Sequence, residues 1–277
     1  MNAKHYLSHL ARRAICNRLV YKIYEKTLLN QVKDGDKPEH IGVILDGNRR
    51  WGLEQTVATS KNLQMRFEIG HRAGADKVEE LLRWCLALGI RTITIYSFST
   101  ENFQRPKEEV EHILGLLDER LENVKTSRDI HENRVCIHAL GRLNLLPEQT
   151  QRLIKEVEEA TKNYDRHYLN IAVAYGGREE MIDAMKKIAA EVKNDNLGVD
   201  DIDEHVVESN LYTSHLPKSE PDLIIRTSGE ERLSGFLLWQ AAYSELCFVD
   251  VYWPDFRQID LLRAVRTYQQ RERRFGA

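Results

Sequence analysis

The chain has 277 residues, 42% of them hydrophobic and 30% charged, with a formal net charge of -3. That length and balance fit a soluble α/β protein with a sizeable core, and they exclude a general nucleic-acid binder, which would carry a basic excess. Cys16, Cys85, Cys136 and Cys247 are far apart with no Cys-x-x-Cys pair, so neither a zinc site nor a disulfide framework is indicated and a reducing, cytoplasmic setting is the expectation. No apolar run reaches the roughly 20 residues that span a bilayer, and no continuous apolar core of a signal peptide opens the chain.

Residues 4–33 read as an amphipathic helix in which Leu7, Leu10, Ile15, Leu19, Ile23 and Leu28 recur at helical steps among Arg12, Arg13, Arg18, Lys22 and Lys26. Such a basic helix suits either the surface of an anionic membrane or simple packing on the domain with its cations in water. Next comes His-Ile-Gly-Val-Ile-Leu-Asp-Gly-Asn-Arg-Arg-Trp, residues 40–51, where an apolar, mostly β-branched run stops at an acid, a glycine and two arginines. It reads as a buried parallel strand whose carboxyl end carries a site. Arginines beside a glycine suit phosphate oxygens, and the carboxylate suits a Mg²⁺ that bridges them. An Asp-Gly turn with solvated arginines is the alternative.

Residues 52–70 lose clear period and read as a loop over that site. From Gly70-His-Arg-Ala-Gly74 a helix runs to residue 88, its two glycines allowing a ligand or another element to approach closely. Residues 90–98 form a second strand ending in Ser99-Thr-Glu-Asn-Phe-Gln-Arg-Pro106. Pro106 and the acids after it start a helix striped by Val110, Ile113, Leu114, Leu117 and Leu121. That stripe suits core packing, or, facing Val78, Leu81 and Leu82, the wall of a tunnel for an apolar chain. Residues 133–140 and 168–175 read as strands separated by a helix over 147–163. Gly176-Gly177-Arg178 resembles a weak phosphate-cradling turn before a helix over 179–194. A fifth strand over 222–227 ends in Arg226-Thr-Ser-Gly-Glu-Glu-Arg-Leu-Ser234, a second cluster of arginines and hydroxyls. Residues 235–245 read as helix, 246–252 as a sixth strand and 256–275 as a basic closing helix.

Two anion-reading loops on one alternating α/β chain point to an enzyme with two phosphorylated substrates. The blocks Asp46-Gly-Asn-Arg-Arg-Trp51, Gly70-His71, Ser97-Phe-Ser-Thr-Glu-Asn-Phe-x-Arg-Pro106, Asn170-Ile-Ala-x-x-Tyr-Gly-Gly-Arg178, Asp222-Leu-Ile-Ile-Arg-Thr-x-Gly-Glu230, Phe236-Leu-Leu-Trp-Gln240 and Trp253-Pro-Asp-Phe256 resemble, in order, the signatures of cis-prenyltransferases, the undecaprenyl diphosphate synthase family, in a form like its archaeal members. The resemblance spans residues 38–276. It implies a single α/β domain with a central six-stranded, mostly parallel sheet flanked by helices and a hydrophobic tunnel, preceded by a helical extension over residues 1–37. It also implies a homodimer that uses Mg²⁺ to join isopentenyl diphosphate to an allylic prenyl diphosphate through a Z double bond.

Residue roles follow from the same matches. Asp46 corresponds to the acid that places Mg²⁺, with Glu245 as a second metal ligand. Gly47, Asn48, Arg49, Arg50 and Trp51 correspond to the cradle of the allylic diphosphate. His71 corresponds to a histidine near the leaving group. Ser99 and Asn102 correspond to proton removal after condensation, with Thr100, Glu101, Phe103 and Arg105 beside them. Arg226, Arg232, Leu233 and Ser234 correspond to the isopentenyl clamp, and Arg274-Phe-Gly276 to a tail that completes the neighbouring subunit's site. Ser97 falls where the family's small residues line the tunnel. The chain departs from the family pattern in its longer stretch before His71, in Phe67 where an Arg or Lys is usual, with Arg66 one residue off, and in Glu231 and Gly235 in place of His and Asn. These departures imply a primer or acceptor other than farnesyl diphosphate, or an irregular linkage. A non-catalytic partner subunit of a heteromeric enzyme is the competing expectation, against which stands the retention of Asp46, Asn102, Arg226, Arg232 and Glu245.

Overall fold

The structure is a computed structural model that describes residues 18–55 and 62–271. The expectations for residues 4–17, for residues 56–61 and for Arg274-Phe-Gly276 lie outside these described residues. Six strands, β1 (His40–Ile44), β2 (Thr92–Ser99), β3 (Val135–Leu140), β4 (His167–Tyr175), β5 (Leu223–Arg226) and β6 (Glu245–Phe248), form one sheet in the order β3-β4-β2-β1-β5-β6. Every pairing is parallel. The apolar runs dictate this: β1 and β5 are buried at every position, as in a sheet covered on both faces. Parallel pairing requires crossovers; between β5 and β6 turns supply them, and elsewhere helices do. In chain order these are α2 (Asn48–Gln55), α3 (Leu63–Leu88), α4 (Lys107–Val124), α5 (Arg128–Glu132), α6 (Glu148–Thr161), α7 (Gly177–Lys193) and α8 (Glu204–Asn210), with α1 (Arg18–Val32) before the sheet and α9 (Gln258–Gln270) after it.

Among the described residues, contacts separate a unit of those in 38–256, which holds the sheet, from a unit of 18–37 with 257–271. In the second unit α1 meets α9. The Gln269 side chain donates to the Val32 carbonyl (3.0 Å), and Arg257 and Arg263 lie over the rings of Tyr21 and Tyr24.

In the sheet unit β1 is central, paired with β2 from His40↔Thr92 to Ile44↔Tyr96 and with β5 from Ile41↔Leu223 to Ile44↔Arg226. The chain moves from β1 to β2 on one side and returns to β5 on the other. Their carboxyl ends therefore flank the crevice where open α/β sheets hold ligands. At the edge, β3 gives its outward N–H groups to α6. Ile137 donates to Thr161 Oγ1 (3.1 Å) and Ala139 to Glu158 Oε1 (2.9 Å), so this edge is covered rather than open to pairing.

Two readings of local structure are corrected. The described part of residues 52–70 is mostly helical: α2 continues to Gln55, and α3 begins at Leu63, seven residues before Gly70. The Asn62 side chain caps α3 by accepting from the N–H groups of Gln64 (2.9 Å) and Met65 (3.3 Å). Residues 235–244 form turns instead of a helix, because Ser234 (φ 50) and Leu237 (φ 46) are left-handed and break the ladder. β6 then begins at Glu245.

Candidate active site

The carboxyl end of β1 is shaped by glycines. Gly47 has φ 105, and a Cβ there would meet the Tyr252 ring at 2.7 Å, so the chain turns beneath that ring only as glycine. α2 and α3 cross with almost no side chain between them. A Cβ on Gly52 would lie 2.1 Å from the Arg66 carbonyl oxygen, and one on Gly70 would lie 2.1 Å from that of Asn48. The Gly70-His-x-x-Gly74 pattern thus serves helix approach, which brings Arg49 and His71 together.

Asp46 sits just past β1. Its Oδ2 accepts from Arg226 Nη2 (2.7 Å) at the end of β5, and its Oδ1 lies 3.4 Å from Arg50 Nη2. Burial alone would raise the Asp46 pKa, but the guanidiniums of Arg226 and Arg50 hold it below the ordinary carboxylate range. Its backbone is pinned by Thr227, whose Oγ1 accepts the Asp46 N–H (3.0 Å) and donates to the Asp46 carbonyl (2.7 Å). Arg226 is buried, and its Nη1 also donates to Ser234 Oγ (2.8 Å) and to the Arg232 carbonyl. Arg50 donates to Ser228 Oγ (2.6 Å), and its Nη1 lies 3.4 Å from Glu230. Thr227 thus fixes Asp46, and Ser228 and Glu230 hold Arg50; the sequence placed all three in the 226–234 cluster without giving them these roles.

A second group of charges gathers on Glu109, in the first turn of α4. The His71 ring donates through Nε2 to Glu109 Oε1 (3.3 Å), and Arg105 Nη1 donates to the same oxygen (3.2 Å). Arg49 Nε stands 3.3 Å from it, close enough for an ion pair though not aligned as a hydrogen bond. Burial pushes His71 below its ordinary value while Glu109 pulls it back. Burial would raise Glu109, but His71, Arg49 and Arg105 bring it below its usual range. Sequence reasoning treated Glu109 as an ordinary acid at a helix start. Its spacing of four from Arg105 was the available signal.

These residues surround a polar cavity of about 980 Å³ lined by Asp46, Gly47, Asn48, Arg49, Arg50, Phe67, His71, Ser99, Glu101, Asn102, Arg105, Arg226 and Ser234, among others. An apolar cavity of about 440 Å³ adjoins it between α3, α4 and the sheet. Leu45, Asn48, His71, Ser97 and Ile113 line both. Val78, Leu82, Ile113, Leu117 and Leu121 wall the apolar cavity as expected, whereas Leu81 and Leu114 are buried in the core and Val110 lies outside its lining. On the solvent side, α3 and α4 are joined by ion pairs from Arg72 to Glu119 (3.0 Å) and from Arg120 to Glu79 (2.7 Å) and Asp76.

Other candidate residues fall elsewhere. The Ser99 N–H donates to Asn102 Oδ1 (3.2 Å), which fixes that amide at the cavity edge. Thr100, Trp51, Phe103 and Leu233 do not line the cavity. Phe103 packs edge-on against Phe98, and Leu233 packs on the core cluster around Phe236. Arg232 is exposed and pairs with Glu230 instead of pointing into the cavity. Glu245 pairs in register with Leu223, at the amino end of the strands, so a single chain does not bring it to Asp46. The Gly177 N–H is taken by the Gly235 carbonyl (2.9 Å), so the double glycine seats the 235 turn and does not cradle a phosphate through that group. No three His, Cys, Asp or Glu side chains among the described residues form a group able to hold a metal, and no described helix is long and apolar enough to cross a membrane.

A parallel α/β sheet thus carries a cationic cavity beside an apolar one, an arrangement suited to a ligand with an anionic head and a hydrocarbon tail. A family model described as undecaprenyl diphosphate synthase matches residues 44–276, and the chain belongs to that family; it is a cis-prenyltransferase, an enzyme of prenyl chain elongation. The chain is 54% identical over 257 residues to a Methanopyrus kandleri protein (93% of this chain, 91% of the relative) and 50% identical over 264 residues to one from Methanocaldococcus jannaschii (95% and 91%). Both relatives are named tritrans,polycis-undecaprenyl-diphosphate synthase (geranylgeranyl-diphosphate specific). Among solved structures, it resembles lavandulyl diphosphate synthase from Lavandula x intermedia in complex with dimethylallyl diphosphate, with TM-score 0.80 and 35% identity over 87% of this chain and 99% of that one. A probable undecaprenyl diphosphate synthase from Campylobacter jejuni gives TM-score 0.68 and 30% identity, over 87% and 100%.

Proposed function

We propose that this enzyme extends geranylgeranyl diphosphate with isopentenyl diphosphate in head-to-tail Z steps, in a Mg²⁺-dependent reaction. The observation that carries the reading is the shared wall of the two cavities. A diphosphate in the polar cavity sends its hydrocarbon tail past Asn48, His71 and Ser97 into the apolar one. The names of the archaeal relatives support geranylgeranyl diphosphate as the primer.

Cleaving an allylic carbon–oxygen bond leaves a carbocation and a departing diphosphate, so fixed cations on the anion lower the barrier. Arg49, Arg50 and Arg105 supply these on one side. Arg226 and Ser234 face the same cavity, and in this reading they would hold isopentenyl diphosphate. Asn102 and Ser99, joined by a hydrogen bond from the Ser99 N–H to the Asn102 side chain, are the pair to which proton removal after condensation is assigned by the family resemblance. Mg²⁺ fits the donor set of Asp46. Asp46 would hold the ion as its one protein carboxylate, and when bound the ion would supply charge neutralisation at the leaving diphosphate. Glu245 would join only across a homodimer. Exposed Ile182, Met185 and Tyr243 support such a partner surface.

Incubation with Mg²⁺, labelled isopentenyl diphosphate and allylic diphosphates from dimethylallyl to geranylgeranyl tests this reading, with products identified by mass spectrometry and NMR. Long Z-polyprenyl products with geranylgeranyl diphosphate as best primer are expected. A single irregularly linked product, or farnesyl diphosphate as best primer, would overturn the primer and linkage. No product with any primer would overturn the catalytic reading and put that of a partner subunit first.

A further inference from the structure

We propose that Glu109 is a positioning residue for the allylic half of the reaction: its carboxylate holds Arg49, Arg105 and the His71 ring in the arrangement that receives the allylic diphosphate. The proposal rests on the reading of the polar cavity as the diphosphate site. Three elements converge on one oxygen. Arg49 comes from α2, His71 from α3 and Arg105 from the turn before α4, and all three reach Glu109 Oε1 within 3.2 to 3.3 Å. Glu109 is fully buried, and its Oε2 has no hydrogen-bond partner among the described residues. An exposed ion pair would contribute little, but a carboxylate taken out of water at this depth persists only because cations compensate it.

The arrangement is layered. Arg49, His71 and Arg105 line the cavity, and Glu109 stands behind them and does not line it. One carboxylate against two permanent cations leaves positive charge in front for an anion. Without that carboxylate, the two guanidiniums repel each other and turn toward water. Phe67 completes the support, its ring centroid 4.3 Å from the Arg49 guanidinium. The family's usual cation at that position is thus replaced by an aromatic plate under a neighbouring one. Within this cluster His71 lines both cavities and so stands where an allylic tail would pass between them, while Arg49 and Arg105, like Arg226 and Ser234, line the polar one alone.

The test compares Glu109→Gln and Glu109→Asp in the full-length protein, with geranylgeranyl and isopentenyl diphosphates varied separately. Glu109→Gln is expected to raise the KM for the allylic substrate roughly ten- to a hundred-fold, the scale of a misplaced binding group, while the isopentenyl KM stays within about twofold. Glu109→Asp, which keeps the charge, recovers part of the loss. An unchanged or lower allylic KM would overturn the proposal, since lost charge alone would then dominate, and so would an equal rise in both KM values, which marks general loosening. If Glu109→Gln does not fold, Glu109→Asp carries the same comparison. Arg49→Ala and Arg105→Ala separate the two readings. If both leave the allylic KM unchanged, the assignment of the cavity fails; if they raise it and Glu109→Gln does not, only the positioning role fails.

Discussion

Asp46 links stability and turnover, and its replacement separates the two. Asp46→Ala removes the carboxylate that accepts from Arg226 at 2.7 Å, and the Arg226 side chain is only 5% exposed. Stranding a buried charge costs roughly 3–5 kcal/mol, but Arg226 keeps Ser234 and the Arg232 carbonyl as acceptors and Asp46 is 27% exposed, so about 2 kcal/mol is expected. Asp46→Asn retains an accepting oxygen and costs about 1 kcal/mol. Turnover follows the charge rather than the hydrogen bond. Both variants lose on the order of 10²-fold to 10³-fold in rate, as when one fixed electrostatic contact is withdrawn from a transition state. Urea unfolding and initial rates of labelled isopentenyl incorporation measure the two quantities on the same preparations. Turnover by folded Asp46→Asn within about tenfold of the parent, equivalent to about 1.4 kcal/mol of barrier, would refute the reasoning, since a neutral amide would then do the work assigned to the carboxylate.

Gly70→Ala is expected to destabilise the fold by roughly 1–3 kcal/mol, because its Cβ would sit 2.1 Å from the Asn48 carbonyl oxygen; an unchanged melting temperature would contradict the close crossing of α2 and α3. Ser97→Phe, at the neck between the cavities, should shorten the products, read by mass spectrometry, while a full-length distribution would place the tail elsewhere. Burial of His40 lowers its pKa to about 4, so the unfolded chain takes up a proton that the fold refuses between the ordinary value of 6.5 and that point. Stability is therefore complete above that window and falls on acidification through it by up to about 3 kcal/mol, and His40→Asn should flatten the dependence measured by denaturant unfolding.

Much of the fold could be read from residue pattern alone. The apolar runs of β1, β2 and β5 each stop at polar residues, and a parallel sheet gathers those ends, so Asp46, Asn102 and Arg226 were legible as one site. Pattern failed where local and global signals diverged. Leu63, Met65 and Ile69 on α3 remain exposed, so the helix lacks a clean apolar stripe there and the Asn62 cap was the better sign. Phe236-Leu-Leu-Trp-Gln-Ala-Ala contains good helix formers, yet Leu237 is forced into left-handed backbone while Tyr175 and Glu180 hold the segment. The Tyr175 hydroxyl accepts the Leu237 N–H, and Gln240 donates to Glu180. Glu109 hid among the acids that ordinarily start helices. The position of Glu245 depends on sheet register, which spacing does not encode.

The two sides of the apolar cavity differ in kind. One is the sheet, where parting β1 from β2 would break a ladder of backbone hydrogen bonds. The other is held on its outer seam by the ion pair of Arg72, exposed to water and worth about 1 kcal/mol or less, and by those of the half-buried Arg120 with the exposed Glu79 and Asp76. A vessel with one rigid wall and one lightly laced wall can widen around contents that grow unit by unit while its charged mouth, anchored to the rigid side through Asp46 and Arg226, keeps its shape. Salt loosens the lacing and leaves the ladder alone.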